Sequence, residues 1–270
     1  MIRTAVVLAG GRGTRMQGTE LDVAAQPLSA DQERAAGLGQ KAMMPVRRPF
    51  LDYVISALAD AGITEVCIVV ARSDTVIRPY YGRDLPPSRV QMTFAEQAEP
   101  RGTADALRCA RACTGGKPFL VLNGDNYYPP AAIRALRDID GPGLVAFEAS
   151  ALVRLGNIPA SRLGAFALVR TDANGVLTDI IEKPGSAALA DDALVSMNLW
   201  SFPPAIFDAC DRIGVSSRGE LEIADAVSYA QRHLGVAFRV VPSALGVLDL
   251  STRHDVASAA DQLRGVEVRL

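Results

Sequence analysis

The stretch Leu8-Ala9-Gly10-Gly11-Arg12-Gly13-Thr14-Arg15-Met16 follows an apolar run, Thr4–Leu8, near the start of the chain. The apolar run predicts a first buried strand, and it leads into glycines rather than a signal-peptide cleavage site. Glycines let the backbone approach a phosphate closely and point several N–H groups at it. Arg15 adds a planar guanidinium suited to phosphate oxygens. The stretch therefore predicts a phosphate-binding loop at the end of the first strand.

Two familiar phosphate-binding loops do not fit this stretch. A dinucleotide-binding fingerprint requires a third glycine where Met16 stands, and a P-loop requires Gly-Lys followed by Ser or Thr. A tight strand-to-helix turn that binds no ligand is the alternative interpretation.

Downstream of the loop, apolar runs of strand length alternate with helical patterns. The predicted strands are residues 4–8, 66–70, 90–94, 119–122, 144–147, 166–169, 176–181, 195–202, 238–241 and 245–248. The predicted helices are residues 50–61, 104–112, 131–137, 221–233 and 255–263. This alternation predicts an α/β fold with an open, mostly parallel sheet and helices on both faces. Asn174-Gly175 predicts a hairpin, and hence a small antiparallel subregion in the second half.

The segment of residues 17–40 is polar, rich in Gly and Ala, and lacks a strand pattern. It is interpreted as a loop insertion, since long loops in compact domains are often functional. Ser29 with Gln32 or Glu33 predicts the cap of a short helix that ends near Gly37 or Gly39.

Composition excludes several classes of function. The 270 residues carry a net charge of −2, so no basic field favours nucleic acid. No apolar run approaches the roughly 20 residues of a membrane helix. The four cysteines form no CxxC pair, which predicts reduced, buried thiols in a cytoplasmic protein. With only His233 and His254, chemistry built on several histidines is excluded.

The loop and the run Lys41-Ala42-Met43-Met44-Pro45 together resemble the sugar-1-phosphate nucleotidyltransferase family. The resemblance extends over about residues 4 to 262. It implies the Rossmann-like fold of nucleotide-diphospho-sugar transferases, and transfer of a nucleotidyl group from a nucleoside triphosphate to a sugar 1-phosphate. It also implies that Lys41 contacts a substrate phosphate.

Residues 96–107 resemble the base-recognition segment of glucose-1-phosphate thymidylyl- and uridylyltransferases. The amide of Gln97 can donate and accept at once, which suits uracil or thymine. Residues 101–106 also resemble ADP-glucose pyrophosphorylases. UTP or dTTP is thus favoured, and ATP, GTP and CTP stay open. The alternative for Thr103 is a helix N-cap, which is compatible with base recognition.

Two separated aspartates match the Mg²⁺ ligands of the family. Asp125 follows the predicted strand 119–122, and Asp249 lies in a run where Ser251 replaces the usual glycine. The alternatives are a turn aspartate for Asp125 and a helix-capping aspartate for Asp249. Mg²⁺ commonly uses one or two carboxylates together with substrate phosphates.

The resemblance implies a sugar half as well. Glu182 of Glu182-Lys183-Pro184 would accept bonds from sugar hydroxyls, and Lys183 would pair with the sugar phosphate. Asn198 stands where relatives often have glycine, so a hexose 1-phosphate is the default acceptor and a non-hexose phosphate stays open. For Glu220 and Glu222, structural ion pairs compete with substrate contact.

The resemblance implies four sets of site residues. The catalytic residues are Arg15, Lys41 and Lys183. The nucleotide-binding residues are Leu8, Ala9, Gly10, Gly11, Gly13, Thr14, Arg15, Gln97, Gly102 and Thr103. The sugar-phosphate-binding residues are Asn123, Gly124, Gly164, Glu182, Lys183 and Asn198. The metal ligands are Asp125 and Asp249.

We expect residues 1–270 to form a single nucleotidyltransferase domain. About residues 1–140 would bind nucleotide, about 141–250 would bind sugar, and 251–270 would form a C-terminal helix. The expected partners are the nucleoside triphosphate and sugar 1-phosphate, with neither nucleic acid nor membrane, in a homo-oligomer.

Two competing functions are weighed against this one. A glycosyltransferase of similar architecture would carry Asp-x-Asp after a strand, but the chain reads Asp125-Asn126. A non-catalytic nucleotide-sugar sensor or regulatory subunit would usually lack the loop arginine or a metal aspartate. Both are present in this sequence.

Overall fold

The computed structural model describes residues 1–18, 27–185 and 189–270. Its strands are β1 (Thr4–Leu8), β2 (Glu65–Ala71), β3 (Gln91–Gln97), β4 (Phe119–Asn123), β5 (Asn126–Tyr127), β6 (Gly143–Glu148), β7 (Ala167–Thr171), β8 (Leu177–Ile181), β9 (Leu194–Phe202), β10 (Arg239–Ser243) and β11 (Leu248–Asp249). Its helices are α1 (Thr14–Gln17), α2 (Ala30–Gly37), α3 (Phe50–Asp60), α4 (Ile77–Pro79), α5 (Thr103–Cys109), α6 (Pro130–Arg137), α7 (Ala149–Leu155), α8 (Ile206–Arg212), α9 (Ile223–Leu234) and α10 (Asp255–Gln262).

The main sheet has the strand order β10-β6-β9-β4-β1-β2-β3. β1 pairs in parallel with β2 and β4, and β2 pairs in parallel with β3. Strands buried on both faces read as continuous apolar runs, which is how β1 and β2 read in the sequence. The predicted α/β class with a mostly parallel sheet is confirmed.

β9 runs antiparallel between β4 and β6 and so links the two halves of the chain in one sheet. β7 and β8 form the hairpin predicted at Asn174-Gly175, and β7 also pairs with β9. β5 and β11 form a separate two-stranded sheet, in which Asp249 pairs with Asn126.

Alternate residues of the central strands point to two hydrophobic clusters, one on each face. In β1, Ala5 and Val7 pack into the cluster under α3 and α6, while Val6 packs into the cluster with α5, α8 and α9. This alternation is the period of two expected for a strand. Helices therefore cover both faces, as predicted.

Most predicted boundaries agree with the structure to within a few residues, but one predicted strand is wrong. Residues 245–247 are not a strand, and β11 begins only at Leu248. A Cβ at Gly246 would lie 2.1 Å from the carbonyl oxygen of Leu155. The chain therefore crosses close over the end of α7 there, where only glycine fits, before it reaches the small sheet.

The capping box at Ser29 is confirmed. The Ser29 hydroxyl accepts from the amide of Gln32, and the Gln32 side chain accepts from the amide of Ser29. The helix runs over Ala30–Gly37, so part of the 17–40 insertion is regular structure, and residues 19–26 of it lie outside the described residues.

The expectations about membrane helices and cysteines concern the described part of the chain. Within the described ranges, no helix is long and apolar enough to cross a membrane. All four cysteines are free thiols, with Cys67 and Cys210 buried and Cys109 and Cys113 half-buried.

Candidate active site

The parallel strands bring the glycine loop, Gln97 and Asp125 to one edge of the sheet. Leu8 pairs with Val69 of β2 and with Asn123 of β4, and Ala71 of β2 pairs with Gln97 of β3. The carboxyl ends of these strands are therefore neighbours. Open α/β sheets bind their ligands at this edge.

The glycine loop leaves β1 with its backbone close to its neighbours. The amide of Ala9 donates to Val69 O at 2.9 Å. A Cβ at Gly10 would lie 3.2 Å from the amide nitrogen of Ala71 and 3.3 Å from Gln97 Oε1. Gly11 faces open space. A small residue at Gly10 thus keeps clear the space between the loop and Gln97.

The backbones of Gly13 and Gly39 are in direct contact, which joins the glycine loop to the 17–40 insertion. Both have positive φ, and a Cβ on Gly13 would lie 2.4 Å from Gly39 O. Two residues after Gly39, Lys41 begins a 3₁₀ turn. This contact fixes where Lys41 stands relative to the glycine loop. Thr14 and Arg15 begin α1 and are exposed.

Two aspartates lie side by side next to this loop, each held by a cation. Lys41 Nζ lies 3.1 Å from Asp125 Oδ2. Arg162 Nη2 lies 2.6 Å from Asp249 Oδ2. The amide of Leu250 donates to Asp125 O at 2.9 Å, so the backbone joins the two segments.

Burial and the charge of Asp125 raise the pKa of Asp249 to about 6, although Arg162 counteracts the shift. A carboxylate that is almost fully buried beside another is destabilised in its charged form. Perturbed carboxyl pairs of this kind cluster at functional sites.

Asp249 is held by Asn126 and Asn157, which were not among the predicted site residues, and Asn126 in turn accepts a hydrogen bond from the predicted residue Asn123. Asn123 Nδ2 donates to Asn126 Oδ1, and Asn126 Nδ2 donates to Asp249 Oδ1 at 2.9 Å. Asn157 Oδ1 accepts from the amide of Asp249, and its Nδ2 donates to the carbonyl of Asp249. Asn126 could have been found from its position beside Asp125, whereas Asn157 gave no signal in the sequence.

Arg162 is the other residue missed. It bridges Asp249 and Asp255, at 2.6 Å and 2.7 Å. Its Nε is buried with no hydrogen-bond partner in the described structure. Asp255 in turn accepts from the amides of Ser251 and Thr252. Arg162 stood in the run Arg162-Leu163-Gly164, but nothing in that run indicated its acidic partners.

Gln97 is buried, and its amide is oriented by two acceptors. Nε2 donates to Gly102 O at 3.1 Å and to Asp105 Oδ2 at 3.0 Å. An amide nitrogen has two donors, so both are used and only Oε1 is available to a ligand. The expectation that Gln97 both donates to and accepts from a base therefore does not fit this structure.

The predicted N-cap role of Thr103 is wrong, because α5 begins at Thr103 and its N-cap is Gly102. The Thr103 hydroxyl instead accepts from the amide of Ile223 at 3.0 Å. Gly102 has a φ of 118°, and a Cβ there would lie 2.3 Å from Leu221 O. Thr103 and Gly102 thus anchor the turn between β3 and α5 to the start of α9.

Two further predicted residues lie close to the end of β4. Gly124 donates to Leu8 O and packs against Ala9. Asn198 lies in a bulge of β9 with a φ of 60°, and its Oδ1 accepts from Trp200 Nε1 at 3.3 Å. Asn is one of the few residues that tolerate this backbone, which explains a replacement of glycine by asparagine.

Two of the predicted sugar-phosphate-binding residues lie along a cleft that follows β8. Glu182 and Lys183 follow β8 and line a cavity of about 620 Å³ with Arg218 and Glu222. Arg218 Nη1 lies 4.0 Å from Glu182 and 3.3 Å from Glu222. Partial burial and the charge of Glu222 raise the pKa of Glu182. Gly164 lies in the 3₁₀ turn Ala160–Ala165 that precedes β7.

The structure joins some of the predicted residues through direct contacts. Lys41, Asp125 and Asp249 form one cluster, and Gly10, Gln97 and Gly102 form a second. Among the described residues, no hydrogen bond or ion pair joins Glu182 or Lys183 to either cluster.

The donor set of the carboxylate cluster suits a hard divalent cation. In the ranges the structure covers, no three His, Cys, Asp or Glu side chains converge as a complete metal cage. Asp125 and Asp249 supply two carboxylates, and Mg²⁺ typically combines such a pair with substrate oxygens and water. The residues present therefore fit Mg²⁺ bound together with a phosphate ligand.

Comparison with known proteins agrees with this geometry. A family model described as nucleotidyl transferase matches residues 4–263. A low-salt glycan biosynthesis nucleotidyltransferase of Haloferax volcanii is 30% identical, over 82% of this chain and 55% of its own. A UTP–glucose-1-phosphate uridylyltransferase of the same organism is 28% identical, over 83% of this chain and 81% of its own. The chain thus spans about half of the first relative's length.

Solved structures share the fold at low sequence identity. A UTP-bound UDP-glucose pyrophosphorylase from Acinetobacter baumannii superposes with a TM-score of 0.73 at 18% identity, over 99% of this chain and 96% of its own. A UDP-glucose pyrophosphorylase complexed with UDP-glucose gives 0.71 at 17% identity, over 99% and 100%. With a family model that matches almost its whole length, this chain belongs to the nucleotidyl transferase family.

Proposed function

We propose that this protein transfers a nucleotidyl group from UTP or dTTP to a sugar 1-phosphate and releases pyrophosphate. The observation that carries the proposal is the cluster of Lys41, Asp125 and Asp249 beside the glycine loop. Named relatives with uridylyl- and thymidylyltransferase activity support the same chemistry.

In this reaction a phosphate oxygen of the sugar 1-phosphate attacks the α-phosphorus of the nucleotide. The new P–O bond forms as the bond to pyrophosphate breaks. A phosphate monoester has a second pKa of about 6, so the nucleophile is already ionised near neutral pH. No general base is required, and the residues act by positioning and charge neutralisation.

The chain's own cations divide this work. Arg15 is exposed on the first turn after the glycine loop, where it would hold the leaving pyrophosphate. Lys41 would release Asp125 and contact phosphate when substrate binds. Lys183 lines the sugar cleft beside Glu182, where it would orient the sugar phosphate.

Asp125 and Asp249 would hold Mg²⁺, as the donor chemistry allows. When bound, the cation supplies neutralisation of phosphate charge. Asn126, Asn157 and Arg162 would keep the Asp249 carboxylate in place.

The proposal includes a homo-oligomer in the cytoplasm. The sensor alternative is not favoured, because the chain retains the loop arginine and both carboxylates.

Pyrophosphate release tests the proposal. The protein would be assayed with Mg²⁺ across ATP, GTP, CTP, UTP and dTTP against several sugar 1-phosphates. We expect release with UTP or dTTP and one hexose 1-phosphate. Asp125→Asn is the matched inactive control. Release with a purine nucleotide alone would discard the base assignment, and no release with any pair would contradict nucleotidyl transfer.

A further inference from the structure

The side chain of Gln97 is fixed in a single orientation by a charged neighbour, Asp105. Both residues are buried, with 5% and 4% of their surfaces exposed. Asp105 Oδ2 lies 3.0 Å from Gln97 Nε2, and the carbonyl of Gly102 accepts the second hydrogen of the same nitrogen at 3.1 Å.

Asp105 is kept ionised by its surroundings. Its Oδ1 accepts from Arg101 at 3.0 Å and from Arg108 at 2.8 Å. Burial alone would raise its pKa, but bonds from Gln97 and Arg101 outweigh burial, so the pKa is lowered. An ionised carboxylate can only accept, so the nitrogen of Gln97, and not its oxygen, must face Asp105.

The oxygen of Gln97 then faces the glycine loop. A Cβ at Gly10 would lie 3.3 Å from Oε1, so the oxygen borders the space that Gly10 leaves clear. We propose that Asp105 is a positioning residue for base recognition, which holds the Gln97 amide so that only an acceptor faces the nucleotide.

A lone acceptor favours a base that presents a ring N–H to it. Uracil and thymine carry such a donor at N3, whereas the ring nitrogen N3 of cytosine is itself an acceptor. This inference rests on the nucleotide binding of the proposed function, and its kinetic test also requires nucleotidyl transfer. A buried acceptor that is left without its donor typically costs about 1–3 kcal/mol, or roughly five- to 150-fold.

The test compares UTP with N3-methyl-UTP, which lacks the N–H. With wild-type protein we expect kcat/KM to fall at least about tenfold for the methylated nucleotide. In Asp105→Asn the new amide can donate to Gln97, which lets the Gln97 amide turn over. In this variant, kcat/KM for N3-methyl-UTP should lie within about threefold of the value for UTP. The preference for UTP over CTP should drop by about tenfold.

Asp211→Asn is the matched control, because Asp211 pairs with Arg108 and Arg111 and makes no bond to Gln97. Both selectivities should stay at the wild-type values. A folded Asp105→Asn protein with unchanged selectivities would overturn the inference and leave the proposed function intact.

Binding measured by calorimetry distinguishes failure of the proposed function from failure of the inference about Asp105. If no nucleotide pair gives pyrophosphate, the proposed function fails, and binding of UTP against N3-methyl-UTP to the wild-type protein still tests the inference. Equal dissociation constants for the two nucleotides would overturn it, even if Asp105→Asn does not fold.

Discussion

Asn198 shows how a single residue that departs from its family can have a structural reason. Its backbone is left-handed, and its side chain satisfies the indole N–H of Trp200, which is fully buried. For L-residues other than Gly, Asn and Asp this backbone costs about 1–2 kcal/mol.

Two substitutions of Asn198 should distinguish the contribution of its backbone conformation to stability from the contribution of its side chain. Asn198→Ala should lower the free energy of unfolding by about 2–3 kcal/mol, since it strains the backbone and leaves Trp200 Nε1 without an acceptor. Asn198→Gly should cost only about 1 kcal/mol, because glycine accepts the conformation. Chemical denaturation of both variants measures this, and equal losses would contradict the backbone argument. A raised KM for the sugar phosphate in Asn198→Gly would support a substrate contact.

The Asp249 carboxyl predicts how Mg²⁺ binding depends on pH. Its pKa of about 6 lies above the ordinary value of 3.8, because burial and Asp125 disfavour the charged form. Protonation therefore competes with metal as the pH falls through about 6. Affinity for Mg²⁺ should weaken about tenfold per pH unit below that value and level off above it. Titration calorimetry from pH 5 to 8 measures this, with Asp249→Asn as the control. A flat profile in the wild type would exclude Asp249 as a ligand.

At the scale of elements, the capping box of α2 matters because α2 ends where Gly39 meets the glycine loop. Ser29 begins the helix, and Gly13 and Gly39 touch through their backbones. The helix thus helps to set the position of Lys41, which begins the 3₁₀ turn two residues after Gly39.

Loss of this cap should be measurable. Ser29→Ala removes the hydroxyl that accepts from Gln32, which should destabilise the protein by about 1 kcal/mol. A thermal melt reports the change, with Ser73→Ala as the control, since Ser73 lies in an exposed turn. If the Ser29→Ala variant melts at the wild-type temperature, the cap contributes nothing to stability.

The same scale shows where sequence patterns fail. The run 245–248 is apolar enough for a strand, but Gly246 passes against the backbone of Leu155 and only Leu248 and Asp249 pair. Local pattern predicted extended structure there, and a close tertiary approach decided otherwise. By contrast, Ser29 and Gln32 are three residues apart, so their cap is local and could be read from sequence.

At the scale of the whole molecule, the two groups of predicted substrate residues lie in different parts of one sheet. The nucleotide-binding residues follow β1 and β3, and the metal ligand Asp125 follows β4, whereas Glu182 and Lys183 follow β8 in the antiparallel part. In the proposed reaction, the first group of residues binds the nucleotide and the second binds the sugar 1-phosphate. The two substrates must therefore come into contact between these parts of the sheet.

Paired substitutions should therefore affect different kinetic constants. Arg15→Ala should lower kcat by about 10²–10³ with little change in the KM of the sugar phosphate, because its charge would act on the leaving group. Glu182→Ala should raise that KM by about tenfold and leave kcat within a few-fold. Steady-state kinetics of both substrates measure the difference.

Arg12 serves as the control for Arg15, and Glu220 serves as the control for Glu182. Arg12→Ala removes the neighbouring loop arginine, and Glu220→Ala removes another partner of Arg218. Both controls should keep wild-type kinetics, and a raised KM in Glu220→Ala would assign Glu220 to substrate contact instead of a structural ion pair. An unchanged kcat in Arg15→Ala would remove Arg15 from the proposed mechanism.

The sequence by itself determined the alternating α/β order, the parallel sheet, the hairpin at Asn174-Gly175 and the loop that ends β1. It could do so because periodicity, turn residues and capping act between residues that are close along the chain. Only the tertiary structure decided what surrounds each side chain. Arg162 meets Asp249 across 87 residues, and Asn157 meets it across 92. Asp105 turns the amide of Gln97 by a contact from a neighbouring helix. Such contacts depend on how distant elements pack, and no local pattern in the chain carries that information.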